Sequence, residues 1–318
     1  MYEVTVPEDE ICQKMETHQT ANFVKISSKE NPTKFCILPK KFVDKDLERI
    51  KNMEVYEDDI WVITYPKCGT TWTQEMVWMI GHNLDYETAL RIPLDDRFPF
   101  LELGGIVTDL PTETFEASIN QPRPRYIKSH LPIFLLPDQL WTVKPKIIYT
   151  ARNPKDTAIS WYHHHTNLHG YTGSKADFIE AFAKDLVPYS PMNEHVIDFW
   201  NIRSQPNILF LFFEDMKRNL DQEVKKVVKF MEKDYVQDEI DKLCVHLSFD
   251  SIKNNRMINK EEIIKQVMEM TGREYNPEKY TFIRKGKVGG YKKELTKEQN
   301  EMMDEYIKKA EFEIEYQF

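Results

Sequence analysis

The sequence predicts an α/β fold in a single domain, with a central, mostly parallel sheet of about five strands and helices on both faces. Three observations carry this reading. Short apolar segments rich in β-branched and aromatic residues alternate with stretches of helical periodicity. Turn residues flank those segments: Pro66, Pro124, Pro145, Pro154, Pro206 and Asn207, as strands require. No linker, internal repeat or low-complexity tract divides the 318 residues, and one large α/β domain accommodates that length.

Four strands are locatable, at Ile60–Tyr65, Tyr126–Ser129, Lys146–Ala151 and Ile208–Phe213. After the first, Trp72, Met76, Met79 and Ile80 share a helical face. After the last, Leu220, Val224, Val227, Val228 and Met231 do the same. Met302, Met303, Tyr306, Ile307 and Ala310 mark a C-terminal helix. One domain spans residues 1–318, with 1–34 as an N-terminal extension. Ligands of such sheets bind outside the carboxyl ends of the strands, so the chemistry is sought just after each strand.

Lys plus Arg is 43 and Asp plus Glu is 52, a net charge of −9 with a pI near 5.6. That excludes a broad polyanion-binding surface, hence nucleic acid as a partner. It leaves room for a small anion, because binding is set by local charge. Lys67, Lys128, Arg152, Arg284 and Lys285 all fall in segments expected at one rim of the sheet. Cys12, Cys36, Cys68 and Cys244 form no CxxC pair and read as free thiols of a reducing compartment. The N-terminus is acidic, unlike a signal or transit peptide. No apolar run approaches the roughly 18 residues of a membrane span. A cytoplasmic protein without a membrane partner is expected.

The loop Tyr65-Pro66-Lys67-Cys68-Gly69-Thr70-Thr71-Trp72 follows the first strand and opens a helix. Gly69 permits a tight turn. The helix start offers unpaired N–H groups to an anion. Lys67 adds charge, and Thr70 and Thr71 add hydroxyls. Lys67 precedes the glycine, against the order of a Walker A kinase loop. A plain strand-to-helix turn with a threonine cap is the alternative.

This loop resembles the phosphosulfate-binding loop of the cytosolic sulfotransferases, a P-loop-like element usually seen as TYPKSGTTW. Further segments are similar to that family in the same order. They are Tyr126-Ile127-Lys128-Ser129-His130-Leu131-Pro132, Ala151-Arg152-Asn153-Pro154-Lys155-Asp156 continuing to Ser160, and Ile283-Arg284-Lys285-Gly286-Lys287-Val288-Gly289. Phe98-Pro99-Phe100-Leu101-Glu102 and Leu211-Phe212-Phe213-Glu214-Asp215 are also similar. The resemblance covers about residues 35 to 310.

The resemblance implies an enzyme that moves a sulfuryl group from 3′-phosphoadenosine 5′-phosphosulfate (PAPS) to the hydroxyl of a small hydrophobic acceptor, leaving 3′-phosphoadenosine 5′-phosphate (PAP). Lys67, Cys68, Gly69, Thr70 and Thr71 would hold the 5′-phosphosulfate. Arg152, Ser160, Arg284, Lys285 and Gly286 would hold the 3′-phosphate, and Trp72 and Phe249 would sandwich the adenine. His130 would be the general base, with Lys67 and Lys128 stabilising developing charge. Lys128 and His130, two apart in an extended segment, point the same way. Phe100, His130, His164 and Tyr171 would line the acceptor pocket. No metal is expected. Consecutive His163, His164 and His165 diverge around a helix, and only His165 and His169 have i, i+4 spacing.

The chain departs from the family at several points. Gly290 and Tyr291 replace Asp and Trp of RKGxxGDW. Phe213 stands where Tyr is frequent in an adenine contact, Leu247 where Thr is usual, and Cys68 where Ser is usual. A thiolate at Cys68 would be favoured by the helix N-terminus. The family's dimer motif maps onto Lys292 to Glu301, with the charged Lys297 where an apolar contact is expected. Three alternatives stay open: a nucleoside or nucleotide kinase, a non-catalytic nucleotide binder, and a dehydratase that activates an alcohol by sulfation. Asn254 to Phe282 reads as a gate over the site.

Overall fold

A computed structural model describes residues 2–17, 22–107, 113–270, 272–277 and 280–309. The chain begins with an antiparallel sheet of β1 (Tyr2–Thr5), β2 (Phe23–Ser28) and β3 (Phe35–Pro39). β2 pairs along its length with β3, across residue 34. Ile37 of β3 is hydrogen-bonded on both sides to the main chain at 189–190: Tyr189 N–H donates to Ile37 O at 2.7 Å and Ile37 N–H to Ser190 O at 3.2 Å.

The predicted strands follow as β4 (Ile60–Ile63), β5 (Tyr126–Ser129), β6 (Lys146–Ala151) and β7 (Ile208–Phe212). They form a parallel sheet in the order β5-β4-β6-β7, with Ile60 opposite both Tyr126 and Lys146, and Ile147 opposite Ile208. The parallel sheet thus has four strands among the described residues, not about five. Where a fifth would lie beside β5, the chain makes one parallel bridge, Phe100 to Lys128, with Lys128 N–H donating to Pro99 O at 3.0 Å. Pro99 has no N–H to continue such a ladder.

β4 is buried on both faces, as a parallel sheet with two helical layers requires. Its alternate residues supply two cores. Trp61 and Ile63 join one with Tyr149 and Phe199. Val62 joins the other with Met76, Val77, Ile148 and Leu211. The helix Thr70–Gly81 buries its apolar side against the second core, as does Leu220–Phe230. The helix Pro154–Leu168 packs on the first through Ala158, Ile159 and Trp161. The C-terminal helix runs Lys297–Lys308; Ala310 lies outside the described residues. Thr296, from the segment matching a dimer motif, caps that helix by accepting from Gln299 N–H at 3.2 Å. Among the described residues, no helix is long and apolar enough to cross a membrane.

β4 connects towards β5 on one side and β6 towards β7 on the other. Their carboxyl ends therefore flank a topological switch point, where ligands of open α/β sheets sit.

Candidate active site

Two residues in the left-handed region shape the turn after β4: Lys67 at φ 69° and Gly69 at φ 104°. A Cβ at Gly69 would lie 2.9 Å from the Phe213 ring, so glycine is required by conformation and by space. The turn delivers Thr70 to the helix start, where its hydroxyl lies 2.6 Å from that of Thr64. Arg152, just past β6, donates to Lys67 O at 3.0 Å and to Lys287 O at 3.2 Å. One guanidinium thus joins the first loop to the basic segment near the C-terminus.

The cations crowd one another. Burial, then the charges of Lys128, Lys260, Arg152 and Arg284, brings the Lys67 ammonium down to about 7. Burial and Lys260 bring Lys128 down to about 7, against the opposing pull of Asp95 and Glu102. Burial also lowers Arg152. Such a cluster is stabilised by an anion among its members. With the loop's open N–H groups it fits a phosphosulfate.

Lys67, Gly69, Thr70, Thr71, Trp72, Arg152, Ser160, Phe213, Leu247, Phe249, Arg284, Lys285 and Gly286 all line one cavity of about 650 Å³. That is within the roughly 300–1,000 Å³ usual for small-molecule sites. Trp72 Nε1–H donates to Leu247 O at 2.9 Å, so a backbone carbonyl fixes the ring and the residue type at 247 matters little there. Lys217 Nζ lies 5.3 Å from the Trp72 ring centre and 5.7 Å from that of Phe249. A Cβ on Gly286 would sit 2.6 Å from Phe249, so its absence lets the basic loop lie against that ring. The carboxylate of Asp156 accepts from Gly289 N–H at 2.7 Å and Tyr291 N–H at 2.9 Å. The loop is therefore pinned through its backbone, and neither Gly290 nor Tyr291 disrupts it.

Phe100, Lys128, His130 and His164 line the same cavity. His130 Nδ1 lies 2.8 Å from Thr64 O. A carbonyl only accepts, so Nδ1 carries the proton and Nε2 keeps its lone pair. Burial and the Lys128 charge push the imidazole well below its usual pKa, so it stays neutral. Phe100 and Tyr189 stand edge-on to it, with ring centres 5.0 and 5.5 Å away. Lys67 Nζ lies 3.2 Å from His164 Nδ1 and 4.3 Å from the Phe282 ring centre. The lining also includes many apolar residues, among them Phe23 and Pro39 from the N-terminal sheet, and Ile263, Val267 and Met270 from the helix Glu261–Met270.

Two expected residues lie elsewhere. Cys68 is fully buried beside Thr157, outside the cavity lining. Burial lifts its thiol to about 12 despite Thr157 and Arg152. The expected thiolate is reversed, because desolvation outweighs the helix end. Tyr171 turns away from the cavity, packs on Phe178 and donates its hydroxyl to Ser174 O at 3.1 Å. His165, His169 and Gly170 line the wall there instead. Among the described residues, no group of three or more His, Cys, Asp or Glu side chains is placed to hold a metal ion.

Sequence reasoning also missed several residues. Glu294 accepts from Arg284 at 2.6 Å, Lys285 at 2.8 Å and His163 at 2.8 Å. Burial pushes this carboxyl up, but those three bonds hold it down at about 2. Its signal was its place, the first acidic residue after the basic run. The wall at Ile263, Val267 and Met270 was readable as an i, i+4, i+7 face. Glu102 and His195, which grip the His130 backbone, left no local signal of that role.

The sequence matches the family model described as "Sulfotransferase domain" over residues 57–313. It is 38% identical over 278 residues to luciferin sulfotransferase of Photinus pyralis, covering 83% of this chain and 74% of that one. It is 38% identical over 266 residues to sulfotransferase 1 family member D1 of Mus musculus, covering 83% and 87%. Among solved structures it is similar to retinol dehydratase in complex with androsterone and the inactive cofactor PAP. That match has a TM-score of 0.87 and 27% identity, covering 100% of this chain and 98% of that one. These matches set aside the kinase alternative. The chain belongs to the sulfotransferase family, as an enzyme of the PAPS-dependent class.

Proposed function

We propose that the enzyme transfers the sulfuryl group of PAPS to the hydroxyl of an elongated apolar alcohol or phenol, with His130 as general base. One observation carries this: His130, with Nδ1 bonded to Thr64 O, lines one cavity together with the clustered cations and many apolar side chains. When bound, PAPS supplies the sulfuryl group and is left as PAP. Lys67 and the amides and hydroxyls of Thr70 and Thr71 hold its phosphosulfate end. Arg152, Ser160, Arg284, Lys285 and Gly286 hold its 3′-phosphate, and Trp72, Phe213, Leu247 and Phe249 enclose the base. Phe100, His164 and the apolar walls seat the acceptor. His130 Nε2 takes the hydroxyl proton as the oxygen attacks sulfur. Lys128 and Lys67 stabilise negative charge on the transferring group and the leaving oxygen. We further propose a cytosolic setting for the reaction, as the family resemblance implies.

A second reading is favoured by the retinol dehydratase match, which covers this chain end to end. In this reading the new sulfate ester of the acceptor alcohol then loses sulfate. The C–O bond breaks, a proton leaves carbon, and an alkene remains.

The test is incubation with PAPS, without added metal, and retinol, androsterone or a simple phenol, with products followed by mass. A sulfate ester, or a dehydrated product with free sulfate, supports one reading or the other. No turnover of any hydroxyl compound across such a panel overturns both.

Donor binding is also expected to take up protons. Burial and neighbouring cations bring Lys67 and Lys128 down to about 7, and a bound phosphosulfate raises both. Above pH 7 binding therefore requires protonation, and affinity falls as pH rises. Titrating PAP at pH 8 in buffers of different ionisation enthalpy measures this. Heats independent of buffer would refute it.

A further inference from the structure

The imidazole of His130 is held through its backbone as well as its ring. Its N–H donates to Glu102 Oε1 at 2.6 Å. Its carbonyl lies 3.0 Å from His195 Nε2. Its ring Nδ1 lies 2.8 Å from Thr64 O. Glu102 and His195 are buried, at 0% and 1% exposure, and neither lines the cavity. They come from different parts of the chain, 28 residues before and 65 after His130. His195 is itself fixed. Its Nδ1 lies 2.8 Å from Tyr149 Oη. A carbonyl needs a donor, so Nε2 carries the proton, and Nδ1 accepts from the tyrosine hydroxyl.

We infer that Glu102 and His195, with Tyr149 behind it, are positioning residues that set where the His130 imidazole meets the acceptor hydroxyl. This rests on the reading of His130 as general base. The segment after β5 has left the sheet ladder and lost its strand partners. Its peptide is then located by two side chains anchored in the core. A misplacement of about 1 Å costs on the order of 100-fold in rate, so a bond at each end of that residue bears directly on turnover. Neither hydrogen bond touches the donor ligands, so donor affinity is insulated from the His195 bond, whereas the Glu102 charge also acts on Lys128.

The test compares kcat, acceptor KM and PAP affinity in five variants of the full chain. Tyr149→Phe removes only the hydroxyl that fixes the His195 tautomer; its kcat is expected to fall about 3- to 10-fold. Glu102→Leu and His195→Leu remove each bond outright, with an expected fall of about 10- to 100-fold. Acceptor KM and PAP affinity stay within about twofold in Tyr149→Phe and His195→Leu, the variants in which PAP affinity is decisive, because the Glu102 charge also acts on Lys128. Glu102→Gln keeps the acceptor and His195→Gln keeps a donor, so both recover most of the lost rate. Unchanged kcat in Tyr149→Phe, or kcat and PAP affinity falling together, overturns the inference. If the leucine variants fail to fold, Tyr149→Phe and the glutamine pair decide it. His130→Ala, measured alongside, separates the two readings. Turnover retained there refutes the general base itself, whereas turnover lost there with Tyr149→Phe unaffected refutes only the positioning.

Discussion

His130→Ala is expected to lower kcat by about 10²- to 10⁴-fold, the usual contribution of a positioned general base, while PAP binds within about twofold of the parent. The two halves of this result have separate causes. The rate falls because the acceptor proton loses the Nε2 lone pair that receives it. Donor affinity survives because the ring's bonds run to Thr64, through its carbonyl at 2.8 Å and its hydroxyl at 3.3 Å, and to none of the cations. The space vacated lies between the Phe100 and Tyr189 rings, on the acceptor side. Steady-state turnover with calorimetric titration of PAP reads both quantities. Turnover within tenfold of the parent would sink the assignment.

Arg284→Ala is expected to weaken PAP about 10- to 100-fold, with turnover at saturating PAPS little changed. A hydrogen bond to a charged group contributes roughly 1.5–3 kcal/mol, and this side chain is 24% exposed, so solvent screening keeps the effect from being larger. The residue stands in the cavity wall far along the chain from the His130 segment and bonds to Glu294 at 2.6 Å. Its removal therefore takes away a proposed phosphate ligand that makes no bond to the His130 segment. A fall in kcat with unchanged PAP affinity would exchange the proposed roles of the two residues.

Part of the candidate site was legible because its residues lie at the carboxyl end of a strand or within a few positions of it, and strand ends are rigid. Lys67 and Thr70 needed only local pattern and the rule that ligands sit at strand ends, whereas Lys128, His130 and Arg152 also needed the family resemblance. Cys68 shows where that logic fails. A helix-end argument assumes that the thiol faces the anion, but the side chain turns inward to Thr157, and burial decides its chemistry. Tyr171 fails through its backbone. Gly170 at φ 66° redirects the chain, and the ring goes beneath the wall rather than into it. Glu102 and His195 were illegible because their roles arise from contacts across 28 and 65 residues. The fifth strand reduced to a single bridge at Phe100, beside a proline that cannot extend it.

The N-terminal sheet carries a different kind of consequence. Phe23 and Pro39 enter the cavity from that sheet, and Ile263, Val267 and Met270 from the helix Glu261–Met270, while the proposed anion ligands hang from the ends of β4 and β6 and from the pinned basic loop. On the proposed reading, preference for one alcohol over another is thus written on parts of the chain that bear none of the duty of gripping the nucleotide. Substitutions there can drift, and a lineage can trade one acceptor for another, without passing through a form that has lost its donor.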